Sequence, residues 1–331
     1  MPESDTDVVI LREFLAHPGE LVPGTRLAKQ LGITRVAVFF HLKRLIEEGF
    51  VIESEPRKGY RLIAPPDKLH EALIRTHLGR TRAPHLVCLD TVDSTNSEAE
   101  RRLAADEPLP LAILAREQTR GRGRRGRTWH SAANGNLYVT FVWRPQLEPA
   151  RLQDFTLWAG VSVCELVENF CRLAPQLKWP NDLMIDGRKA GGMLTEARID
   201  ADQVRDLVFG LGLNVNGRHA DLPADLRRIA TSLAEARGEP FDLNRFAAAL
   251  IGRIAQAYAQ FVDGSYRARF ADLWNRYDLL RGRPVTVIQG NRTVRGTAMG
   301  IDDEGSLIVR TDTGPTERFR AGEVTLGKDA T

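Results

Sequence analysis

EQTRGRGRRGRTWHS, residues 117–131, places five arginines and three glycines in positions 120–127. Read alone, it fits a nucleic-acid-binding arm, a solvated basic patch or a loop that grips a small anion. Its surroundings narrow the choice. LAILAREQ (111–118) before it and NLYVTFVW (136–143) after it both have strand character. The stretch is therefore an inter-strand loop inside a folded domain, whereas disordered RNA-binding tracts lie outside folded domains and run longer. Glycine lets backbone N–H groups approach a ligand and accepts positive φ. Arginine supplies permanently charged, planar donors that match phosphate and carboxylate. Trp129 suits stacking on a base or capping a pocket. By itself the motif is weak, and a solvated basic loop is its ordinary reading.

Outward from this loop, strands and helices alternate. LVCLD (86–90), LMIDGRKAGGMLTEAR (183–198) and DLVFGLGLNV (206–215) read as strands. Segments 70–78, 94–105, 152–172 and 243–262 carry helical periodicity. Together they describe a mixed α/β (α+β) domain over 65–280, large enough to bury a core. From 281 to 331 the texture turns to short strands broken by glycine turns, an SH3-like all-β barrel. In front, Ala64-Pro65-Pro66-Asp67 reads as a linker. Residues 1–64 then hold three short helical patterns. In 7–17, Val9, Ile10, Phe14 and Leu15 share a face; 25–32 has Thr25 as N-cap and Gly32 as stop; 34–49 has Thr34 as cap and Gly49 as terminator. Val38, Leu42 and Leu45 form the inward stripe of the last. FVIESEPRKGYRLI (50–63) alternates around a Pro-Arg-Lys-Gly turn, a β-hairpin wing. The whole is a winged helix-turn-helix, with Thr34, Arg35, Lys43, Arg44 and Lys58 placed for DNA contacts. Phe39-Phe40 sits where such readers carry polar groups.

The bulk numbers set limits. With 46 Lys+Arg against 43 Asp+Glu, the net charge of +3 is too balanced for a chain coated in nucleic acid, so DNA contact must be local. Three cysteines, Cys88, Cys164 and Cys171, match no zinc or redox spacing and read as buried thiols in a reducing cytoplasm. The N-terminus lacks the pattern of a signal peptide, and no apolar run reaches membrane-spanning length. The expectation is a cytoplasmic protein with no membrane partner.

Three more segments bear chemistry. KWPNDLMIDGRKAGGMLTE (178–196) carries a rigid turn with the amide of Asn181 and the carboxylate of Asp182, able to hold Mg²⁺ and its phosphates. A hairpin then leads to Lys189 beside small residues, so the lysine reaches a phosphate or carbonyl, or simply points to solvent. Trp179 reads as core. FGLGLNVN (209–216) puts Gly210 and Gly212 within a buried strand, which points to a close-approaching ligand or a bulge. TVDSTNSEAE (91–100) puts Ser94, Thr95 and Asn96 at a helix N-terminus, either as a cap or as an anchor for a neutral polar group. Neither His130, His219 nor any cysteine is set in a nucleophilic triad.

Taken together, DSTN (93–96), EQTRGRGRRGRTWHS, KWPNDLMIDGRKAGGMLTE and GLGLNVN (210–216) resemble the biotin protein ligases, in particular those that double as biotin operon repressors. The resemblance covers the whole chain. It implies the biotin/lipoate ligase fold flanked by the winged helix-turn-helix and the SH3-like barrel. It implies a two-step reaction: biotin and ATP, with Mg²⁺, give biotinoyl-5′-AMP, and biotin then passes to one lysine of the biotin carboxyl carrier protein of acetyl-CoA carboxylase. By the same resemblance, Ser94, Thr95, Asn96, Gln118 and Gly210 serve biotin. Gly121, Arg122, Gly123 and Arg124 form a loop over the valeryl chain and adenylate, with Arg124 restraining adenylate release. Trp129 and Asn214 lie on the adenine side. Lys178, Asn181 and Asp182 serve phosphates and metal, and Lys189 the biotin carboxylate and α-phosphate. Arg124, Lys178 and Lys189 are the implied catalytic cations. A homodimer on the operator DNA of biotin genes is implied as well. The rivals are a lipoate-type ligase and a DNA-binding regulator that senses biotinoyl-AMP without ligation.

Overall fold

Alternating apolar positions and glycine-ended helices build two compact units. The computed structural model describes residues 3–79, 81, 83–133 and 135–326; residues 327–331, the end of the expected barrel domain, lie outside the described residues. One unit takes in Met1–Thr81 with Asp242–Ala249, the other Arg82–Phe241 with Leu250–Thr331.

In the first unit, α1 (Glu3–Ala16), α2 (Gly24–Leu31) and α3 (Arg35–Glu47) precede a hairpin of β1 (Val51–Glu55) and β2 (Gly59–Ala64), followed by α4 (Glu71–Leu78). The α3 N-terminus forms because Thr34 Oγ1 accepts from the Ala37 N–H at 3.1 Å. The α2 end forms because Gly32 takes the left-handed conformation at φ 66°. Two expectations are corrected. Helix α2 starts at Gly24 with Pro23 at the cap position and no side-chain cap, so Thr25 is not its cap. The inward stripe of α1 is Val8, Ile10, Leu11 and Phe14, while Leu15 is exposed, a phase set by contact with Val38, Leu42 and Leu45 of α3 and Leu73 of α4. Because α4 joins this core, the unit runs past residue 64.

In the second unit, β3 (His85–Val92), α5 (Thr95–Ala104), β4 (Leu111–Gln118), β5 (Leu137–Trp143), α6 (Leu152–Leu166), β6 (Pro175–Lys178), β7 (Asp182–Ile185), β8 (Arg188–Asp200) and β9 (Gln203–Leu213) come in chain order. They make one seven-stranded sheet in the order β3-β4-β5-β9-β8-β7-β6, parallel only between β3 and β4. Helix α5 lays Ala99 and Leu103 on one face, against Leu111, Ile113, Val142 and Val208. Every residue of β5 is buried, as its unbroken apolar run requires. Helix α6 is interior almost throughout and sends the Trp158 indole N–H to the Ala257 carbonyl at 3.0 Å. The helical pattern over 152–172 is matched: α6 passes into a π-helix over Val167–Cys171, closed by Arg172 at φ 58°. The hairpin expected within 183–198 turns at Asp186 and Gly187, both with positive φ, between β7 and β8. After α7 (Leu233–Arg237), α8 (Leu243–Asp263) and α9 (Arg267–Tyr277) comes a five-stranded antiparallel sheet. Its strands are β10 (Pro284–Gln289), β11 (Arg292–Ile301), β12 (Leu307–Thr311), β13 (Thr316–Phe319) and β14 (Glu323–Leu326). It docks through the Gly305 carbonyl, which accepts from Trp179 Nε1 at 3.0 Å and Gln153 Nε2 at 2.7 Å. Trp179 is 1% exposed, as its core reading requires. No cysteine is in a disulfide; Cys164 and Cys171 are buried, but Cys88 is only half-buried.

Candidate active site

A cleft in the second unit is lined from the start of α5, the 120–129 loop, the β6–β7 turn, the middle of β8 and β9, and the first residues of β14. Its floor is neutral and polar. Thr95 donates to Gln118 Oε1 through its backbone N–H at 2.8 Å and its hydroxyl at 3.1 Å. Gln118 Nε2 donates to Ser131 Oγ at 2.8 Å. Asn96 accepts from Thr140 Oγ1 at 2.6 Å and donates to Glu196 at 2.7 Å. Ser94 occupies the cap position of α5 without making the cap hydrogen bond, and it lines the cleft. Of its two sequence readings, a cap or an anchor, the cap is absent.

The glycine–arginine stretch is a small hairpin. Trp129 N donates to the Gly121 carbonyl at 2.9 Å and Gly123 N to the Arg127 carbonyl at 2.7 Å. Arg125 turns the tip at φ 58°. The five arginines go separate ways. Arg122 holds Glu100 at 2.9 Å and also Glu196. Arg127 pairs with Glu323 of β14. Arg120 lies 3.9 Å from Asp93, and Arg125 is exposed. Only Arg124 turns its guanidinium to the β6–β7 turn, donating to Asn181 Oδ1 at 3.1 Å, and burial pulls its pKa down. A side chain at Gly121 would stand 2.5 Å from the Trp129 carbonyl, so that glycine closes the hairpin rather than lining the cleft.

Trp129 lies on a glycine platform. Gly192 and Gly212 face each other across β8 and β9, and a Cβ at Gly212 would sit 2.5 Å from the indole. A Cβ at Gly210 would sit 2.2 Å from Asn96 Oδ1. The close approach that both glycines permit here is by the protein's own side chains, and both glycines also line the cleft.

The far end is cationic. Lys189 Nζ lies 2.6 Å from Asp182 Oδ1 and 5.3 Å from the Trp129 ring centre. Lys178 has no carboxylate within 4.0 Å among the described residues, and burial lowers its pKa although the Asp182 charge opposes the shift. Asn181 donates to the Met193 carbonyl at 2.7 Å, which fixes the turn. One carboxylate and one amide oxygen suit a magnesium ion that keeps its waters and phosphates rather than a protein cage. Both oxygens now face cations, so the fit requires Lys189 and Arg124 to move to the substrate.

The structure therefore gathers Ser94, Thr95, Asn96, Gln118, Arg122, Gly123, Arg124, Trp129, Lys178, Asn181, Asp182, Lys189 and Gly210 around one cleft. It leaves out Gly121 and Asn214; Asn214 is buried and donates to the Thr231 carbonyl at 3.0 Å. The reading missed Glu323 and its neighbours in β14, Gly192 and the supporting Thr140, Ser131 and Glu196. Gly192, next to Lys189, was the one with a local signal. In the first unit, Thr34, Arg35, Lys43 and Lys58 are exposed, while Arg44 turns to the buried Asp7.

Comparison with known proteins adds three family matches: the biotin/lipoate A/B protein ligase family over residues 88–214, the biotin protein ligase C-terminal domain over 281–327, and a helix-turn-helix domain over 9–61. The chain is 34% identical to the bifunctional ligase/repressor BirA of Bacillus subtilis, covering 96% of this chain and 98% of that one. It is 31% identical to that of Escherichia coli, covering 97% and 98%. A solved biotin protein ligase from Aquifex aeolicus, in complex with biotin and ATP, superimposes with a TM-score of 0.64 at 30% identity, covering 74% of this chain and 99% of that one.

Proposed function

The chain belongs to the biotin protein ligase family, in its bifunctional ligase/repressor branch, and from that premise we propose how its residues divide the work. The protein is an ATP-dependent biotin ligase that also carries a DNA-binding repressor module. A carboxylate oxygen of biotin attacks the α-phosphorus, the bond to the β-phosphate oxygen breaks, and pyrophosphate leaves. The uncharged ε-amine of an acceptor lysine then attacks the acyl carbon; the acyl–phosphate bond breaks, AMP leaves, and the amine's proton passes to solvent.

The observation that carries the assignment is a single cleft with two chemistries. Ser94, Thr95, Asn96 and Gln118 offer a neutral donor–acceptor set for the uncharged head of biotin, while Arg124, Lys178 and Lys189 converge where negative charge develops. On our reading Lys189 leaves Asp182 for the biotin carboxylate and α-phosphate, and Arg124 closes over the adenylate. Asn181 and Asp182 would hold magnesium, which would supply charge neutralisation on the phosphates. Trp129 shields the intermediate from water. We assign the acceptor to the biotin carboxyl carrier protein of acetyl-CoA carboxylase and the working form to a cytoplasmic homodimer. We divide the labour as DNA binding in 1–64, whose core α4 completes, catalysis in the rest of 65–280 and closure of the cleft by 281–331. No helix of the described residues is long and apolar enough to cross a membrane.

Incubation of the full chain with ATP, radiolabelled pyrophosphate and either biotin or lipoate tests the first step, and a streptavidin blot with a carrier domain tests the second. Exchange with lipoate alone would defeat the reading. Exchange with biotin but an unlabelled carrier would leave a sensor rather than a ligase.

A further inference from the structure

The outward face of α3 carries an apolar stripe that the ligase chemistry does not use. Val36, Phe39 and Phe40 are 64%, 51% and 62% exposed, and the two rings meet edge to face at 5.9 Å. With Lys43 they stand at i, i+3, i+4 and i+7, one continuous row along the helix. The opposite row, Val38, Leu42 and Leu45, is buried, so the phase of the helix is fixed.

The polar groups that would read base edges from this helix are mostly engaged elsewhere. His41 lies 2.9 Å from Asp7, and Arg44 is paired with the same carboxylate. What remains outward is Thr34 and Arg35 at the N-terminus, the apolar row, Lys43, which lies 3.8 Å from Glu47, and Ile46 and Glu47 in the last turn. The major groove offers one apolar group that marks a base, the C5-methyl of thymine. Exposed cations flank the apolar row, as a phosphate-lined groove requires.

We propose that α3 reads thymine methyl groups in the major groove through Val36, Phe39 and Phe40, with Arg35 and Lys43 on the flanking phosphates. The proposal rests on the repressor reading and specifies its DNA. Sites that this chain selects contain thymine where the apolar row meets the groove, and methyl contact rather than hydrogen bonding reads the bases there.

Full-length protein, supplied with biotin and ATP, selects duplexes from a random library. Each thymine of an enriched duplex is then replaced singly by deoxyuridine, which removes only the methyl group. Affinity is expected to fall roughly fourfold for each contacted methyl. In Phe39→Ala or Val36→Ala that discrimination drops toward unity. Both substitutions leave biotin transfer and weak, salt-dependent binding to random DNA intact, because neither side chain is in the core. Deoxyuridine tolerated at every position overturns the proposal while leaving the repressor intact. No enriched duplex overturns both. Phe39→Ala that alters self-association but not methyl discrimination also overturns it, in favour of a contact between copies of the chain.

Discussion

At the neutral end of the cleft, Thr95, Asn96, Gln118, Thr140 and Ser131 satisfy one another through contacts of 2.6 to 3.1 Å. At the charged end, Arg124, Lys178 and Lys189 gather around Asp182, and Glu323, bonded to Arg127, adds a weaker negative charge to Arg124 and Lys178. The first arrangement is complete before any ligand arrives. The second is short of negative charge, and buried cations in that state are stabilised by a phosphate or carboxylate. The neutral end should therefore govern which substrate binds, and the charged end how fast charge is made and how tightly the adenylate is kept.

The largest expected effect lies at the charged end. Arg124→Gly removes the only arginine of the loop that reaches the β6–β7 turn. Release of bound biotinoyl-AMP should quicken about a hundredfold, the scale of losing one charge-stabilising donor. A chase of preformed adenylate measures it, and bystander lysines should become biotinylated. Retention equal to the parent would break the comparison, because the loop would then hold the intermediate by shape rather than charge.

Next comes the neutral end. Gln118→Leu keeps the volume but strands the Thr95 N–H and hydroxyl, while Ser131 keeps its bond to the Trp129 carbonyl, a loss of about 1–3 kcal/mol. KM for biotin in pyrophosphate exchange should rise about tenfold, with kcat nearly unchanged. A fall in kcat at constant KM would show that the two ends are not separable.

The same contrast explains what the sequence discloses. The strands, the loop's place between them, and the four segments that meet at the cleft follow from local pattern and spacing. The fate of each arginine does not, because Arg122 and Arg127 are decided by Glu196 and Glu323, which lie 74 and 196 residues away. Gly210 and Gly212 were legible as sites of close approach, but the approaching groups, Asn96 and Trp129, come from segments that only the fold brings near. Asn214 sits within a matching motif yet spends its amide on Thr231, a partner no motif marks. Strand β6 escaped because four residues beginning with proline are too short to show a period.

The smallest effect at neutral pH is the most diagnostic. Burial lowers the pKa of Lys178 in the free protein, so its charge is lost at a lower pH than for an exposed lysine. A bound nucleotide adds negative charge and restores it. kcat/KM for ATP, which reports the free protein, should therefore decline on the alkaline side before kcat does. Stability should move the opposite way. Because the folded pKa lies below the unfolded one, protonating Lys178 opposes folding at low and neutral pH. That penalty fades as pH rises from the lowered value toward the ordinary lysine range. Lys178→Arg keeps the charge at every accessible pH, with a change of about threefold or less at pH 7. It should remove the early alkaline decline in kcat/KM while leaving any limb due to the acceptor amine in place. A parent and variant with superimposable profiles would mean that Lys178 carries no charge that the nucleotide uses.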